Sequence, residues 1–205
     1  MSNRKIPESV MARLPVYLHF LKSLPAQDGD TISSAAIAKN LGLGEVQVRK
    51  DLALISGAGK PKIGYYRLEI ISHIESALGS GKNTNAVIVG AGKLGRALLC
   101  YEGFSEFGVH ILAAFDVEVE NGLKISGDKR VLPVSELFKF CKENDVKIGV
   151  ITVPESQAQT VADELVKAKV SAIWNFAPAR LKIPPEIKVK NENMAASVAV
   201  LSASL

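Results

Sequence analysis

The stretch VIVGAGKLG, residues 87–95, decides the fold of the second part of the chain. An apolar run ends in three glycines with the spacing G-x-G-x-x-G, at Gly90, Gly92 and Gly95. In such a turn the first glycine permits a sharp bend from strand to helix, and the second admits a pyrophosphate close to the backbone. The third lets the helix pack closely on the sheet. The stretch therefore predicts a dinucleotide site, with the pyrophosphate on the amide groups at the helix start.

Neighbouring residues extend this predicted site. Ala91 and Leu94 complete the turn, and Lys93 adds a positive charge beside the phosphates. Asp116 ends the next apolar segment, 21 residues after Gly95, where folds of this type bind the adenosine ribose. A carboxylate accepts hydrogen bonds from two ribose hydroxyls and repels a 2′-phosphate. The pattern therefore favours NAD(H) over NADP(H).

Apolar runs alternate with helical patterns after residue 80. Strands are predicted at 86–90, 110–116, 146–154 and 170–176, with helices from Lys93, over 135–144 and over 155–169. Strands separated by helices of about 10–15 residues predict a parallel sheet with right-handed crossovers, a Rossmann-like α/β domain. A last apolar helix is predicted at 191–205, after Pro184 and Pro185.

No catalytic group accompanies the predicted cofactor site. The three histidines, His19, His73 and His110, all precede the loops after residue 120, where a partner for hydride transfer would lie. Fewer than 100 residues follow Asp116, and the sheet needs them. We therefore expect no catalytic residue, and a cofactor that acts as a signal.

Composition narrows the class further. Of the 205 residues, 47% are apolar and 22% are charged, and this apolar fraction is large enough to form a buried hydrophobic core. No apolar run approaches the ~18 residues of a membrane span, and the first residues lack the apolar region of a signal peptide, so a cytoplasmic protein is expected. Cys100 and Cys141 form no metal-binding cluster, and no metal is expected. The net charge is +4, and residues 31–67 alone carry six basic side chains against two acidic ones, which favours a polyanionic partner.

The first eighty residues contain a helix-turn-helix pattern, ISSAAIAKNLGLGEVQVRKDLALI, at 32–55. Ala38 is small enough for two helices to cross, and Gly42 permits the turn. In the second helix Val48, Leu52 and Ile55 are spaced to face inward. This leaves an outer face suited to a DNA major groove, formed by Gln47, Arg49 and Lys50.

The next segment, GAGKPKIGYYRL at 57–68, is basic and interrupted by glycines. It predicts a β-wing that carries Lys60 and Lys62 to phosphates or the minor groove, with Tyr65 also at the DNA. An ordinary connecting hairpin is the alternative. The domains predicted are a winged helix at 1–80, a Rossmann-like domain at 81–190 and a C-terminal helix at 191–205.

With a winged helix followed by a short NAD-binding fold, the sequence resembles the Rex family of redox-sensing transcriptional repressors. The resemblance covers nearly the whole chain. The most specific matches are VRKDL at 48–52, GAGKLG at 90–95, FD at 115–116, TVP at 152–154 and NFAP at 175–178. The resemblance implies a homodimer that binds a palindromic operator and leaves it when NADH binds. It also implies that the last helix is swapped, packing between the two domains of the partner subunit.

The resemblance also assigns individual roles. The adenosine diphosphate contacts fall on Gly90, Gly92, Lys93, Leu94, Gly95 and Asp116. The segments near the nicotinamide contain Thr152, Val153, Pro154, Asn175 and Phe176, and Tyr101 matches a tyrosine that takes part in the switch. Gln47, Arg49 and Lys50 match the recognition helix.

Three positions depart from the family pattern. The wing has Pro61 and Lys62 where Arg and Gly are usual, so a minor-groove Arg is lost. His19 stands where an Arg is frequent. Asn193 and Met194 replace an Asp and an aromatic residue at the start of the last helix. The Arg–Asp pair that family members use to stabilise one state is therefore expected to be absent, both charges being replaced together.

Two other functions remain open at this stage. A small NAD-dependent oxidoreductase with an accessory N-terminal domain would need a proton donor near the nicotinamide, and Tyr101 is the candidate. A nucleotide-binding scaffold that does not bind DNA would leave the basic residues at 47–50 and 60–62 without a role.

Overall fold

The computed structural model describes residues 6–25, 30–61, 63–79, 81–119 and 121–205. The chain forms two compact units, residues 1–82 and residues 83–205. Each unit has its own set of buried apolar side chains.

The first unit is a winged helix-turn-helix. Its helices are α1 (Glu8–Met11), α2 (Leu14–Ser23), α3 (Ser34–Leu41), α4 (Glu45–Ser56) and α5 (Arg67–Leu78). Two short strands, β1 (Thr31–Ile32) and β2 (Tyr65–Tyr66), pair antiparallel. This pairing returns the chain after α4 to the start of α3, and the described residues between α4 and β2, 57–61 and 63–64, belong to the wing, with Lys60 bridged to Gly64. The predicted wing is confirmed.

The helix-turn-helix forms for the local reasons expected. The Ser33 side chain caps α3 by accepting a hydrogen bond from the Ala36 amide at 3.1 Å. Gly42 ends α3 with a φ of +64°, a backbone conformation that favours glycine. Val48 and Leu52 of α4 are fully buried, whereas Ile55 is half-buried. Helix α4 therefore turns its outer face to solvent.

The second unit is a Rossmann-like α/β domain. Its strands are β3 (Thr84–Val89), β4 (Val109–Asp116), β5 (Leu123–Ser126), β6 (Lys129–Pro133), β7 (Ile148–Ile151), β8 (Ala172–Asn175) and β9 (Lys188–Asn191). The helices are α6 (Lys93–Leu99), α7 (Leu137–Glu143), α8 (Glu155–Lys167) and α9 (Met194–Ser202), and a 3-10 helix spans Glu102–Phe107. The strand order is β5-β6-β4-β3-β7-β8-β9, with all pairs parallel except β5 and β6.

The topology places the glycine turn at the switch point of the sheet. The chain leaves β3 for β4 on one side, and later returns to β7 on the other side of β3. Ligands of open α/β sheets bind in the crevice that such a reversal creates at the carboxyl ends of the strands. The turn that follows β3 lies at that crevice.

The structure adds three strands that the sequence patterns did not predict, β5, β6 and β9. The predicted last helix is also shorter than expected, because the chain first forms β9 and then starts α9 at Met194. Asn193 caps this helix, its side-chain oxygen accepting from the Ala196 amide at 2.8 Å. Every residue of α9 is exposed in the single chain.

Candidate dinucleotide site and DNA interface

The three glycines of the turn differ in the space around them. Gly90 has a φ of +102°, and a Cβ there would lie 2.8 Å from the Thr152 carbonyl oxygen. A Cβ on Gly95 would overlap the Gly90 carbonyl oxygen. A Cβ on Gly92 would meet no protein atom within 4 Å. Gly90 and Gly95 are therefore required by packing, whereas Gly92 leaves open space beside the backbone.

Three side chains, those of Asp116, Thr152 and Arg96, fix the conformation of this turn through hydrogen bonds. Asp116 accepts a hydrogen bond from the Ala91 amide at 2.6 Å and one from the Glu118 amide at 3.1 Å. The Thr152 hydroxyl donates to the Gly90 carbonyl at 2.7 Å. Arg96, which the sequence analysis did not single out, donates through Nε to the Ala91 carbonyl at 2.7 Å. The turn is thus preorganised without a ligand.

A cleft of ~270 Å³ lies along the turn and the carboxyl ends of the neighbouring strands. Its lining includes six predicted cofactor residues, Gly90, Gly92, Asp116, Thr152, Val153 and Pro154. Lys93 is exposed at the first position of α6, and Leu94 is half-buried behind it. Gln157 and Glu118 also line the cleft, and motif reasoning missed both.

An aromatic cluster connects the segment that follows α6 to β8. The Tyr101 ring packs edge-on against Phe104 with centroids 4.9 Å apart, and Phe104 packs against Trp174 at 5.7 Å. Trp174 in turn packs against Phe176 at 4.6 Å. Tyr101 is 61% exposed.

Asn175, which belongs to a segment predicted to lie near the nicotinamide, has a structural role within its own loop. Its side chain is fully buried, and its amide nitrogen donates to the carbonyls of Ala177 and Ala179 and to the Asn191 side chain. Its oxygen accepts from the Ala177 amide at 3.0 Å. These bonds use both amide hydrogens, so the side chain holds the loop that contains Phe176 in place. That this segment lies near the nicotinamide stays a prediction.

The residues predicted to contact DNA belong to α4 and to the wing of the first unit. Gln47, Arg49 and Lys50 are exposed on α4, and Lys60 is exposed in the wing, with its Nζ 4.6 Å from the Tyr66 ring centroid. Lys62 lies outside the described residues. Between α4 and the wing runs a groove of ~340 Å³, lined by Arg49 and Lys60 among others. The arrangement places basic side chains on both walls of one groove.

Tyr65 was predicted to contact DNA, and the structure corrects this. Only 8% of the residue is exposed, and its hydroxyl is buried. A Cβ on Gly59 would lie 3.0 Å from two atoms of the Tyr65 ring, so the ring fills the space behind the wing backbone. Tyr65 therefore supports the wing, and its buried hydroxyl is not available to DNA.

A buried carboxylate in α4 was missed by the sequence analysis. Asp51 is 3% exposed and accepts from Arg13 Nε at 2.7 Å, from Arg13 Nη2 at 2.9 Å and from the Tyr17 hydroxyl at 2.7 Å. The hydrogen bond to Asp51 raises the pKa of Arg13 above its ordinary value. Burial, followed by the bond to Asp51, raises the pKa of Tyr17 to about 12. These contacts connect α4 to α2 below the DNA face.

All four predicted switch residues are exposed, each within its own unit. His19 is exposed on α2 in the first unit, and Tyr101 is exposed in the second. Asn193 caps α9, as described, and Met194 at its first turn is 55% exposed. No ion pair involves either Asn193 or His19 among the residues described.

Neither a membrane-spanning helix nor a metal-binding cluster is found among the described residues. No helix in that part of the chain is both long and apolar enough to cross a membrane. In the same residues, no three His, Cys, Asp or Glu side chains cluster in a way that could bind a metal ion.

Together, the fold and its surfaces define a class of protein: a ligand-responsive transcription regulator, with a winged helix joined to a Rossmann-like nucleotide-binding unit. Family models agree with both units. Residues 5–53 match the model of a putative DNA-binding protein N-terminus, and residues 81–179 match that of a CoA binding domain.

Full-length relatives identify the family. The chain is 41% identical to the redox-sensing transcriptional repressor Rex of Carboxydothermus hydrogenoformans, over 98% of this chain and 97% of that protein. It is 39% identical to Rex of Desulforamulus reducens, over 100% and 98%. The chain belongs to the Rex family of redox-sensing transcriptional repressors.

Solved structures agree with this assignment. The chain resembles RSP in complex with beta-NAD+ and operator DNA, with a TM-score of 0.89, 33% identity, and coverage of 98% of this chain and 93% of that one. The complex of RSP with beta-NADH gives a TM-score of 0.84 at 34% identity, over 97% and 93%. The fold predicted from the sequence is therefore confirmed.

Proposed function

We propose that this chain represses transcription by binding a palindromic operator as a homodimer, and that NADH releases it from the DNA. One observation carries the proposal: the same chain joins a winged helix with an exposed basic face to a preorganised dinucleotide turn. RSP, a structural relative over nearly its whole length, has been solved with operator DNA and NAD+ and separately with NADH. Acting on operator DNA, the chain would work in the cytoplasm.

The cofactor would lie along the cleft at the glycine turn. Its pyrophosphate would approach the backbone at Gly92, where the structure leaves space, with Lys93 beside it. Asp116 would accept from the adenosine ribose while also bonded to Ala91. Its negative charge would repel a 2′-phosphate and favour NADH over NADPH. The nicotinamide side would be formed by Tyr101, Phe176 and the loop at 152–154.

We propose that the cofactor acts as a signal and is not turned over. Enzymes that transfer a hydride commonly hold their general acid in a pocket that closes around the substrate. Tyr101, the proton donor that an oxidoreductase would require, is 61% exposed. The Thr152 hydroxyl is already donated to the Gly90 carbonyl. These two observations support the proposal that the cofactor is a signal.

The exposed helix α9 is proposed as the dimerisation element. Its apolar residues are largely accessible in the single chain: Met194 55%, Val198 64%, Val200 73% and Leu201 64%. An apolar helix with no buried face requires a partner surface. A second copy of this chain, receiving the helix in a swapped arrangement, would supply it.

The DNA-binding part is tested by removing Arg49 and Lys50 together. The double alanine variant should bind operator at least about tenfold more weakly, because both charges are exposed on α4 and Arg49 lines the groove beside the wing. NADH affinity should remain unchanged. The matched control replaces Lys139 and Lys142, both exposed on α7, by alanine. It also removes two positive charges, but from the second unit. Operator binding equal to that of the wild type in the Arg49 and Lys50 variant would contradict the proposal.

A further inference from the structure

One apolar side chain is exposed in the middle of the α4 face that we propose for DNA. Val46 is the second residue of α4 and is 54% exposed. Successive residues of an α-helix are rotated by about 100° around its axis, so Val46 lies about 200° from Val48. Val48 is fully buried. Val46 therefore points away from the core of the first unit.

Three polar or basic residues lie around Val46 on the outward face of α4. Lys50, four residues later, lies about 40° further around the helix axis and is exposed as well. Arg49 lies on the side of the wing, where it lines the groove. Gln47 lies on the opposite side, where its amide faces Arg13. Val46 and Lys50 therefore form the centre of the outward face.

The chemistry of valine limits what this residue can contact in a major groove. Its side chain has no hydrogen-bonding atom, so it can bind neither a phosphate nor the polar groups of a base edge. Among the groups that base pairs present in this groove, the 5-methyl group of thymine is the apolar one. The N-terminal residues of a recognition helix are those that contact base edges, and Val46 lies in the first turn of α4.

We infer that Val46 packs against the 5-methyl group of one thymine in each half-site of the operator, and so determines specificity at that base pair. This inference rests on the proposed DNA-binding function. Residues four apart on a helix are separated by about 6 Å along its axis, and neighbouring base pairs by about 3.4 Å. The thymine should therefore lie within about two base pairs of the Lys50 contact.

The test starts from an operator that the wild-type chain selects from a randomised pool of double-stranded DNA. Each thymine of a half-site is then replaced by deoxyuridine, symmetrically in both half-sites. This replacement removes the 5-methyl group and keeps every hydrogen-bonding group of the base pair, and it tests the wild-type chain without any protein substitution.

Two variants then assign the methyl contact to a residue. Val46→Ala shortens the side chain at the centre of the face. Leu54→Ala is the matched control, because Leu54 is a second exposed apolar residue of α4, 49% exposed and in the last turn. Alanine favours the helix at both positions, so both variants should keep the wild-type unfolding temperature and NADH affinity.

The wild type should lose affinity at one thymine of each half-site. The loss should be about threefold per methyl group, and about tenfold when both half-sites carry deoxyuridine. Val46→Ala should bind the parent operator more weakly and should lose less than about twofold on the same replacement. Leu54→Ala should keep the full dependence on that methyl group.

Three results would overturn the inference. If no thymine of the selected operator depends on its methyl group in the wild type, Val46 contacts no thymine methyl. If Val46→Ala keeps the wild-type dependence, another residue makes the contact. Failure of the wild-type chain to enrich any sequence would overturn the proposed function, and the inference with it.

Discussion

Asp116 has a second role beyond the predicted ribose contact. Its carboxylate accepts from the Ala91 amide within the glycine turn, and from the Glu118 amide in the loop that follows β4. One side chain therefore connects the carboxyl ends of β3 and β4 across the crevice. Because these backbone donors already orient the carboxylate, a bound ribose would find its acceptor in place, which lowers the entropic cost of binding.

Asp51 and Tyr17 determine a second property at this scale, the response of the first unit to alkaline pH. The pKa of Tyr17 is raised from 10.0 to about 12 by burial and by its bond to Asp51. Because the pKa of Tyr17 is higher in the folded state than in the unfolded state, the contribution of Tyr17 to the free energy of unfolding is complete below pH 10. This contribution is lost as pH rises through 12. The shift corresponds to roughly 2–3 kcal/mol.

Replacing Tyr17 by Phe should remove this response. In urea unfolding of the first unit, the wild type should lose stability between pH 10 and 12, and Tyr17→Phe should lose less over the same range. Tyr101→Phe, which changes an exposed tyrosine of the second unit, is the control and should match the wild type. Equal losses in the wild type and in Tyr17→Phe would show that Tyr17 ionisation does not drive the change.

At the scale of elements, two glycines of the same turn have different roles: Gly95 is needed for folding, and Gly92 is expected to be needed for ligand binding. Gly95→Ala should destabilise the second unit by roughly 1–3 kcal/mol or more, because the added methyl group overlaps the Gly90 carbonyl. Gly92→Ala should leave the unfolding temperature unchanged, since its methyl group enters open space. That space is where the pyrophosphate would approach, so NADH affinity should fall at least about tenfold.

These two variants form a matched pair of single methyl additions three residues apart. Thermal unfolding without ligand and calorimetric titration with NADH measure the two properties separately. Wild-type NADH affinity in Gly92→Ala would place the pyrophosphate elsewhere.

Elements with a strong apolar period could be predicted from sequence, and short exposed ones could not. The runs that became β3, β4, β7 and β8 are largely apolar and buried, so each stood out. Strand β9 has the sequence KVKN with every residue exposed, and its two lysines protect a sheet edge while concealing the pattern of a strand. Strands β5 and β6 are four and five residues long. The Gly127–Asp128 pair between them was the available hairpin signal.

The candidate site was predictable where a motif required particular residue types, as at Gly90, Gly92 and Gly95. It was less predictable where a charge is buried. Asp51 lies three residues after Val48 and so faces inward on α4, a position that called for a partner. The partner, Arg13, is 38 residues away in sequence, and a pair at that distance is defined by the tertiary fold. Asn175 matched its motif, yet packing turned its side chain into the protein.

At the scale of the whole molecule, α9 is expected to control assembly. A chain that ends at Asn193 keeps β9 and the Asn175–Asn191 bond but lacks the exposed apolar helix. It should sediment as a monomer, bind operator weakly, and retain the fold of both units. Leu201→Asp should act similarly, because it places a charge on a surface that the partner must bury. Ser202→Asp on the same helix is the control. A dimer that persists after truncation would place the interface elsewhere.

The central claim is that NADH and operator oppose each other on this chain. By linkage, each ligand must weaken the affinity for the other by the same factor, and a 100-fold effect corresponds to ~2.7 kcal/mol.

The most direct measurement is operator affinity without cofactor, with saturating NADH and with saturating NAD+, while the absorbance of reduced nicotinamide is followed. The account predicts that NADH releases the operator, that NAD+ does not, and that NADH is recovered unoxidised. Operator affinity that is the same with and without saturating NADH would contradict it.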